Sequence, residues 1–218
     1  MHVVELSASA GTIHGRALAG SATLWFCRPT SPALVLGSAQ RDVEVDLAVL
    51  DRRGADVVRR RGGGGAVWVD DTVSWFDIDI GSDDPRWTDD VGRAFHWVGR
   101  AVAEALASVG LAPEVHFGAL ESTPWSRLVC FAGVGPGEVL IDGRKLVGIS
   151  QRRTRDCARF MCQIHDVWNP ADVLDAVAMS AIERRIVLDA VTDSATDLTD
   201  VGVARSDFEA ALVEALSQ

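Results

Sequence analysis

Four consecutive glycines, Gly62 to Gly65, stand between Arg59-Arg60-Arg61 and the short apolar run Ala66 to Val69, in the stretch RRRGGGGAVWVD. A backbone without side chains, flanked by fixed positive charge, forms a loop whose N–H groups can lie against an anionic ligand and point at phosphate oxygens. A glycine run is also what a plain surface loop looks like, so other parts of the chain must decide. Strands are expected on both sides, Ala55 to Arg60 delivering the arginines and Ala66 to Val69 leaving the loop. The run is not a nucleotide-hydrolase phosphate loop, because no Lys-Ser or Lys-Thr follows it, and no G-x-G-x-x-G enters a helix.

A second stretch, Asp142 to Arg153 (DGRKLVGISQRR), supplies what the first lacks. Of the 21 basic residues, 20 are arginine, and Lys145 is the sole lysine. A compact ammonium with three rotatable donors does work that a planar guanidinium fork cannot, which makes Lys145 a functional candidate. Asp142-Gly143 is a strong hairpin-turn signal, so Lys145 opens the returning strand, Lys145 to Gln151. An anionic ligand clamped between the two segments fits both.

With 218 residues and 48% apolar content, the chain is expected to form one domain, 1–218, with a helical tail over about 170–218 and no separate accessory domain. A net charge of −10 argues against general nucleic-acid binding, so any anion site must be local. No apolar run reaches the roughly 20 residues of a membrane span, and the N-terminus lacks a signal peptide's basic and apolar regions; a cytoplasmic protein is expected. Cys27, Cys130, Cys157 and Cys162 form no C-x-x-C pair and no zinc-ligand spacing, so reduced thiols and no protein-held metal are expected.

Further strands are expected at Ala33 to Leu36, Ser74 to Ile80, Val115 to Phe117, up to Cys130-Phe131, Val139 to Ile141 and Arg159 to Val167. Helices are expected over 10–26, Val43 to Arg53 closed by Gly54, 89–108 capped by Thr88, about 170–191, and 206–216 capped by Ser206. Asp77 and Asp79 share one face of their strand, and the ordinary reading is its solvated side. His96 and Trp97 read as packing residues. Segregated helices and hairpin-linked strands imply an α+β fold with mixed, largely antiparallel sheets and flanking helices.

Together the two motifs resemble the lipoate-protein ligases of the biotin/lipoate ligase and octanoyltransferase superfamily. That family's pattern is Arg-Arg-x-Ser-Gly-Gly-Gly-Ala-Val-x-His-Asp, then Gly-Arg-Lys-x-x-Gly-Ser-Ala-Gln-Arg. Arg60 through Val67, Asp70, Gly143, Arg144, Lys145, Gly148, Gln151 and Arg152 match it, and LVLGSAQ with Gln40 is similar to the preceding segment. The resemblance implies the catalytic-domain fold and ATP-dependent activation of lipoate or octanoate to an acyl-adenylate. Transfer to a lysine of a lipoyl-domain acceptor follows, with magnesium offsetting the triphosphate. It casts Arg60 and the backbone of Gly63, Gly64, Gly65, Ala66 and Val67 as the phosphate cradle, with Gly143, Gly148 and Gln151 beside it. Lys145 is the catalytic residue bridging acyl oxygen and phosphate, and Trp68 is a candidate wall of the acyl slot.

Departures from the pattern are specific. Gly62 replaces the family serine, Val69 the loop histidine, Gly148-Ile149-Ser150-Gln151 the Gly-Ser-Ala-Gln, and His165-Asp166 stands where a His-Gly pair is usual. A separate partner subunit is a possibility the resemblance carries. Some octanoyltransferases of the superfamily have a Cys-Phe just upstream of the lysine hairpin, which Cys130-Phe131 resembles. There the thiolate would take the acyl group from a carrier thioester without ATP. A third reading is a non-catalytic ligase-like binding subunit. A biotin ligase fits less well, since its Gly-Arg-Gly-Arg loop is absent.

Overall fold

The computed structural model describes residues 1–40 and 44–217. Among the described residues ten strands and six α-helices follow one another in an α+β fold. Seven strands form the large sheet, in the order β1 (His2–Ala8), β2 (Thr23–Pro29), β6 (Val73–Gly81), β10 (Cys157–His165), β9 (Arg144–Arg153), β8 (Val139–Ile141), β7 (Glu114–Val115). β1 and β2 run parallel and the remaining pairs antiparallel. A three-stranded sheet, β4 (Asp56–Arg59), β3 (Ala33–Leu36), β5 (Val67–Val69), pairs β3 with β4 in parallel and with β5 antiparallel.

Side-chain alternation sorts these strands into three layers of core. From β6, Phe76, Ile78 and Ile80 face α3 (Ala94–Ser108) and α6 (Arg205–Ala215), packing with Val98, Val102, Phe208 and Leu212. On the small sheet Leu34, Leu36 and Trp68 face α4 (Ala171–Asp175) and α5 (Ala181–Val191). Val35, Val67 and Val69 point the other way and meet Trp75, Cys27 and Phe131, so the two sheets are packed against each other. The second short helix, α2 (Leu47–Arg52), is capped by Asp46, whose carboxylate accepts from the amides of Ala48 and Val49.

This layering overturns the solvated reading of Asp77 and Asp79. All nine residues of β6 are buried, and both carboxylates lie on the face covered by the segment after α1 (Ala10–Gly15). The Arg159 guanidinium holds Asp79 through two bonds of 2.6 and 2.7 Å, Arg16 reaches Asp77 at 2.8 Å, and Arg159 also donates to the carbonyls of Arg16 and Ala17. Burial raises the Asp77 carboxyl above the usual range, with both guanidiniums pulling the other way. A strand pattern tells which face is polar but not what covers it.

Other expectations shift for local reasons. The helix expected over 10–26 stops at Gly15, and Thr23 to Phe26, β-branched and aromatic, is strand instead. β1 has no counterpart among the expected elements. The helix expected from Val43 begins outside the described residues; its described part is α2, closed by Gly54 at φ 58°. Thr88 does not cap α3, which starts at Ala94, and Ser206 does not cap α6, whose N-cap is Ala204. The helix expected over 170–191 is two, because Ala176 and Ala178 bond to the backbone of Asp46 and Glu44, and Ser180 with Glu183 then starts α5 as a capping box. Cys130–Ala132 is a 3₁₀ turn rather than a strand end. The Asp142-Gly143 turn is a hairpin with both φ values positive, 50° and 73°. His96 and Trp97 pack edge-on against Phe117 and Phe160.

Two measurements test this packing. Asp79→Ala leaves the Arg159 guanidinium buried beside only Asp77 at 3.8 Å, and a loss of about 3–5 kcal/mol in urea unfolding is expected; a loss under about 1 kcal/mol contradicts the buried network. His165, between Phe131 and Trp168, is held by burial at a pKa of about 4, so its native imidazole is neutral. The unfolded chain takes up this proton near 6.5, so the stability His165 contributes is complete above that pH and lost as pH falls toward 4. Relative to His165→Phe, the native chain is expected to lose on the order of 1–2 kcal/mol between pH 7 and pH 5; a difference that stays flat contradicts it.

Candidate functional site

Arg60 leaves the end of β4 and turns inward, 4% exposed. Its Nε and Nη2 donate to the Gly63 carbonyl at 3.1 and 2.7 Å, Nη2 to Gly65 at 2.8 Å, and Nη1 to Val35 at 3.3 Å. The glycine run is therefore wrapped around its own arginine. Gly64 lies at φ 94°, and a Cβ there would sit 2.8 Å from Arg60 Nη2 and 3.4 Å from Cys130 Sγ. A Cβ on Gly65 would strike the Cys130 amide at 2.7 Å. The loop needs glycine because it is packed flat on the segment Ser126 to Cys130, where the Ala66 amide donates to the Leu128 carbonyl and the Cys130 amide to the Ala66 carbonyl. The amides of Gly63, Gly64 and Gly65 find no acceptor among the described residues.

Lys145 enters from the first turn of β9 and is 1% exposed. Its ammonium donates to the carbonyls of Cys130 at 3.1 Å and Gly133 at 3.0 Å, and pairs with Glu138 Oε2 at 2.6 Å. All three hydrogens thus have acceptors, and the Phe131 ring lies 4.9 Å from Nζ. Glu138 also accepts from the amides of Gly135 at 2.7 Å and Ile149 at 2.9 Å. One small cation ties together the whole turn from Cys130 to Glu138. A guanidinium would not fit among these three acceptors.

These elements enclose a cavity of about 780 Å³. Gly63, Gly64, Gly65, Cys130, Lys145 and Gln151 lie on its wall, with Val91, Phe95 and Leu120 as an apolar flank. Arg60, Val67 and Gly148 border a smaller void of about 20 Å³ behind Cys130, together with His14 and Met161. Cys130 lines both. Three of the expected site residues border neither. Gly143 is in the hairpin turn, Ala66 is buried behind the loop, and Trp68 packs in the small-sheet core with Nε1 on Asp70 at 2.8 Å and Arg53 stacked 3.9 Å above it. The Gly62 replacement is matched by its surroundings: a Cβ there would meet Ser150 Oγ at 3.0 Å and Met161 Cε at 3.1 Å.

Sequence reasoning did not single out Glu138 or His14. Glu138 carries a faint signal, an acid closing a Gly-rich turn ahead of the lysine hairpin, but its partner is seven residues on and only the fold pairs them. Gln40, noted only as part of a motif, takes the Gly37 amide at 2.7 Å and donates to Arg127 O, so it braces the Ser126 to Cys130 segment. Among the described residues no three His, Cys, Asp or Glu side chains gather as metal donors, so magnesium would have to arrive on a nucleotide's own phosphates. No helix of the described residues is long and apolar enough to cross a membrane.

Known proteins match this architecture. A bipartite lipoate protein ligase from Thermoplasma acidophilum, solved in a study of that ligase and its E2 lipoyl domain, superposes with a TM-score of 0.77 at 18% identity, covering 99% of this chain and 82% of that one. A lipoate-protein ligase A bound with ATP superposes at 0.72 and 19% identity, over 99% and 83% of the two chains. At these identities the likeness shows the fold. Among curated proteins, octanoyltransferase LipM of Moorella thermoacetica is 31% identical over 133 residues, 60% of this chain and 48% of its own. LipM of Kyrpidia tusciae is 30% identical over 131 residues, 57% and 47%. The chain spans about half the length of the curated relatives it matches. The lipoyl protein ligase A/B catalytic-domain model matches residues 12–217, and the chain belongs to that family.

Proposed function

We propose that this chain transfers an octanoyl-type acyl group from a carrier thioester to a lysine of a lipoyl-type acceptor domain, with Cys130 as the covalent carrier. The observation that carries the reading is the position of Cys130: its side chain borders the large cavity, between the free glycine amides and a lysine already neutralised by Glu138. The similarity to proteins named octanoyltransferase LipM supports octanoyl transfer. In the first half-reaction the Cys130 thiol adds through its sulfur to the thioester carbonyl, the carrier C–S bond breaks, and the departing carrier sulfur takes up the proton that Cys130 gave up. In the second, the neutral amine of the acceptor lysine attacks the Cys130 thioester, the C–S bond breaks, and the amine's proton passes to the departing sulfur. The amides of Gly63 to Gly65, on the same cavity wall as Cys130 and without an acceptor among the described residues, suit the oxyanion of each adduct. Lys145 holds the carbonyls of Cys130 and Gly133, so it fixes the nucleophile's backbone. The apolar flank suits the acyl chain.

The ATP-dependent reading has one observation in its favour, the same unpartnered amides, which suit a phosphate as well as an oxyanion. Against it stands the Lys145–Glu138 pair. A triphosphate would have to approach a buried carboxylate whose own cation has no hydrogen to offer.

Incubation with an octanoyl-carrier thioester, followed by peptide mass spectrometry, is expected to show one acyl adduct on Cys130 that disappears in Cys130→Ala. No adduct, together with lipoate-dependent ATP–pyrophosphate exchange, would replace this reading with the ligase. Gly65→Ala, which presses on the Cys130 amide, is expected to slow acylation at least about tenfold; an unchanged rate contradicts the close packing of loop and nucleophile.

A further inference from the structure

Ser150, on β9, borders both the large cavity and the small void behind Cys130, as Cys130 itself does. Its Oγ faces the glycine loop, where a Cβ on Gly62 would stand 3.0 Å from it, and its cross-strand neighbour is Met161, whose thioether is at most a weak acceptor. The side-chain bonds nearest along the strand belong to the Ile149 amide and the Arg152 guanidinium. Among the described residues the Ser150 hydroxyl itself is left without a partner. The residue types on the two walls are coupled. Where the family pattern has a serine in the glycine loop this chain has Gly62, and where the pattern has an alanine on the lysine strand it has Ser150. The pattern's other serine on that strand is Ile149, which packs into the α3 core. A side chain grown from Gly62 would enter the space that Ser150 Oγ fills, with Met161 Cε at 3.1 Å and the Gln151 carbonyl at 3.3 Å closing the other directions. Overfilling a packed site is destabilising. One wall or the other can carry the hydroxyl, but not both.

We propose that Ser150 is a further catalytic residue, whose Oγ–H donates to the acyl carbonyl oxygen at Cys130 from a hydroxyl placed on the lysine strand instead of the glycine loop. The proposal rests on the reading of Cys130 as the acyl carrier, and it goes beyond that reading by adding a side-chain donor to the loop amides. The carbon under attack bonds to the Cys130 sulfur, so its oxygen falls among the groups that share a wall with that sulfur. Ser150 shares it with Gly63, Gly64 and Gly65. The other polar groups close to this wall are spent: Ser126 Oγ donates to the Thr123 carbonyl at 3.0 Å, and the three hydrogens of Lys145 are held by Cys130, Gly133 and Glu138. Ser150 has a hydrogen to give. No proton changes hands in this step. The hydroxyl keeps its hydrogen, and the bond strengthens as charge gathers on the oxygen, so it stabilises the adduct more than the bound thioester.

Two readouts test this, one of them independent of the reaction. In the first, the rate of Cys130 acylation by an octanoyl-carrier thioester is followed by peptide mass spectrometry. Ser150→Ala is expected to slow it at least about tenfold, with the loss in the maximal rate rather than in the half-saturating donor concentration. The exchange Gly62→Ser/Ser150→Ala is expected to recover most of that loss, and Gly62→Ser is expected to lower the thermal unfolding midpoint more in the native chain than in Ser150→Ala. In the second, a ketone isostere of the thioester, with a methylene in place of the sulfur, is titrated into Cys130→Ala, where no adduct can form. Adding Ser150→Ala to that variant is expected to weaken binding about fivefold. A native acylation rate in Ser150→Ala overturns the proposal, and so does a ketone affinity that ignores Ser150. An exchange variant that keeps the native unfolding midpoint yet stays as slow as Ser150→Ala overturns the equivalence of the two positions. Ketone binding that depends on Ser150, in a chain that forms no acyl adduct on Cys130, would retain the carbonyl site and remove the transferase reading, so the two failures are distinguishable.

Discussion

The Arg60 guanidinium, enclosed by Val35, Gly63 and Gly65 carbonyls, is the interaction on which the site depends. A flexible run of glycines has a large conformational entropy to lose, and a set of charge-assisted hydrogen bonds from one fork offsets that loss in a way no single neutral bond would. Once the loop is fixed, its flat backbone gives the Ser126 to Cys130 segment a surface to lie on, down to 2.7 Å from where a Cβ would be. The cysteine's place in the cavity wall is a consequence of that contact. Charge and shape at this point have the same origin.

Lys145 organises the opposite wall by the same principle with a different cation. Its three acceptors pull Cys130, Gly133 and Glu138 into one turn, and Glu138 in turn takes the amides of Gly135 and Ile149. Removing either partner would leave the other charge buried and alone. The cavity therefore has a braced rim on both sides of the sulfur, with the Lys145–Glu138 pair quenched within it and the guanidiniums of Arg60 and Arg127 beside it.

Much of this was legible in the chain, though for partly different reasons. The glycine run and the lone lysine do converge on one cavity, as their residue types suggested. The glycines, however, are required by close packing on Cys130 and by the φ of Gly64, contacts that join positions more than 60 apart and have no local signature. The hairpin at Asp142-Gly143 was readable because a type I′ turn has its own chemistry. Asp77 and Asp79 were misread because alternation reports a polar face and not its cover, which here is Arg159 from another strand and the segment after α1. Cys130 looked like a strand end because its apolar neighbours fit one; the strand-like pairing is a single bridge between Ala66 and Val129, and a 3₁₀ turn begins at Cys130. For Trp68 the sequence left the acyl-slot wall and an ordinary core place equally open, because nothing in its spacing says which layer it faces; it packs in the small-sheet core.

In the proposed reaction the acyl group travels through Cys130 and needs no nucleotide. The most direct measurement isolates the acylated protein, removes all donor, and mixes it with a lipoyl-type acceptor domain in nucleotide-free buffer. The acyl group is expected to leave Cys130 and appear on the acceptor lysine in equal amount within a single turnover. Acyl-Cys130 that persists while the acceptor is modified only after lipoate or octanoate and ATP are added would contradict it.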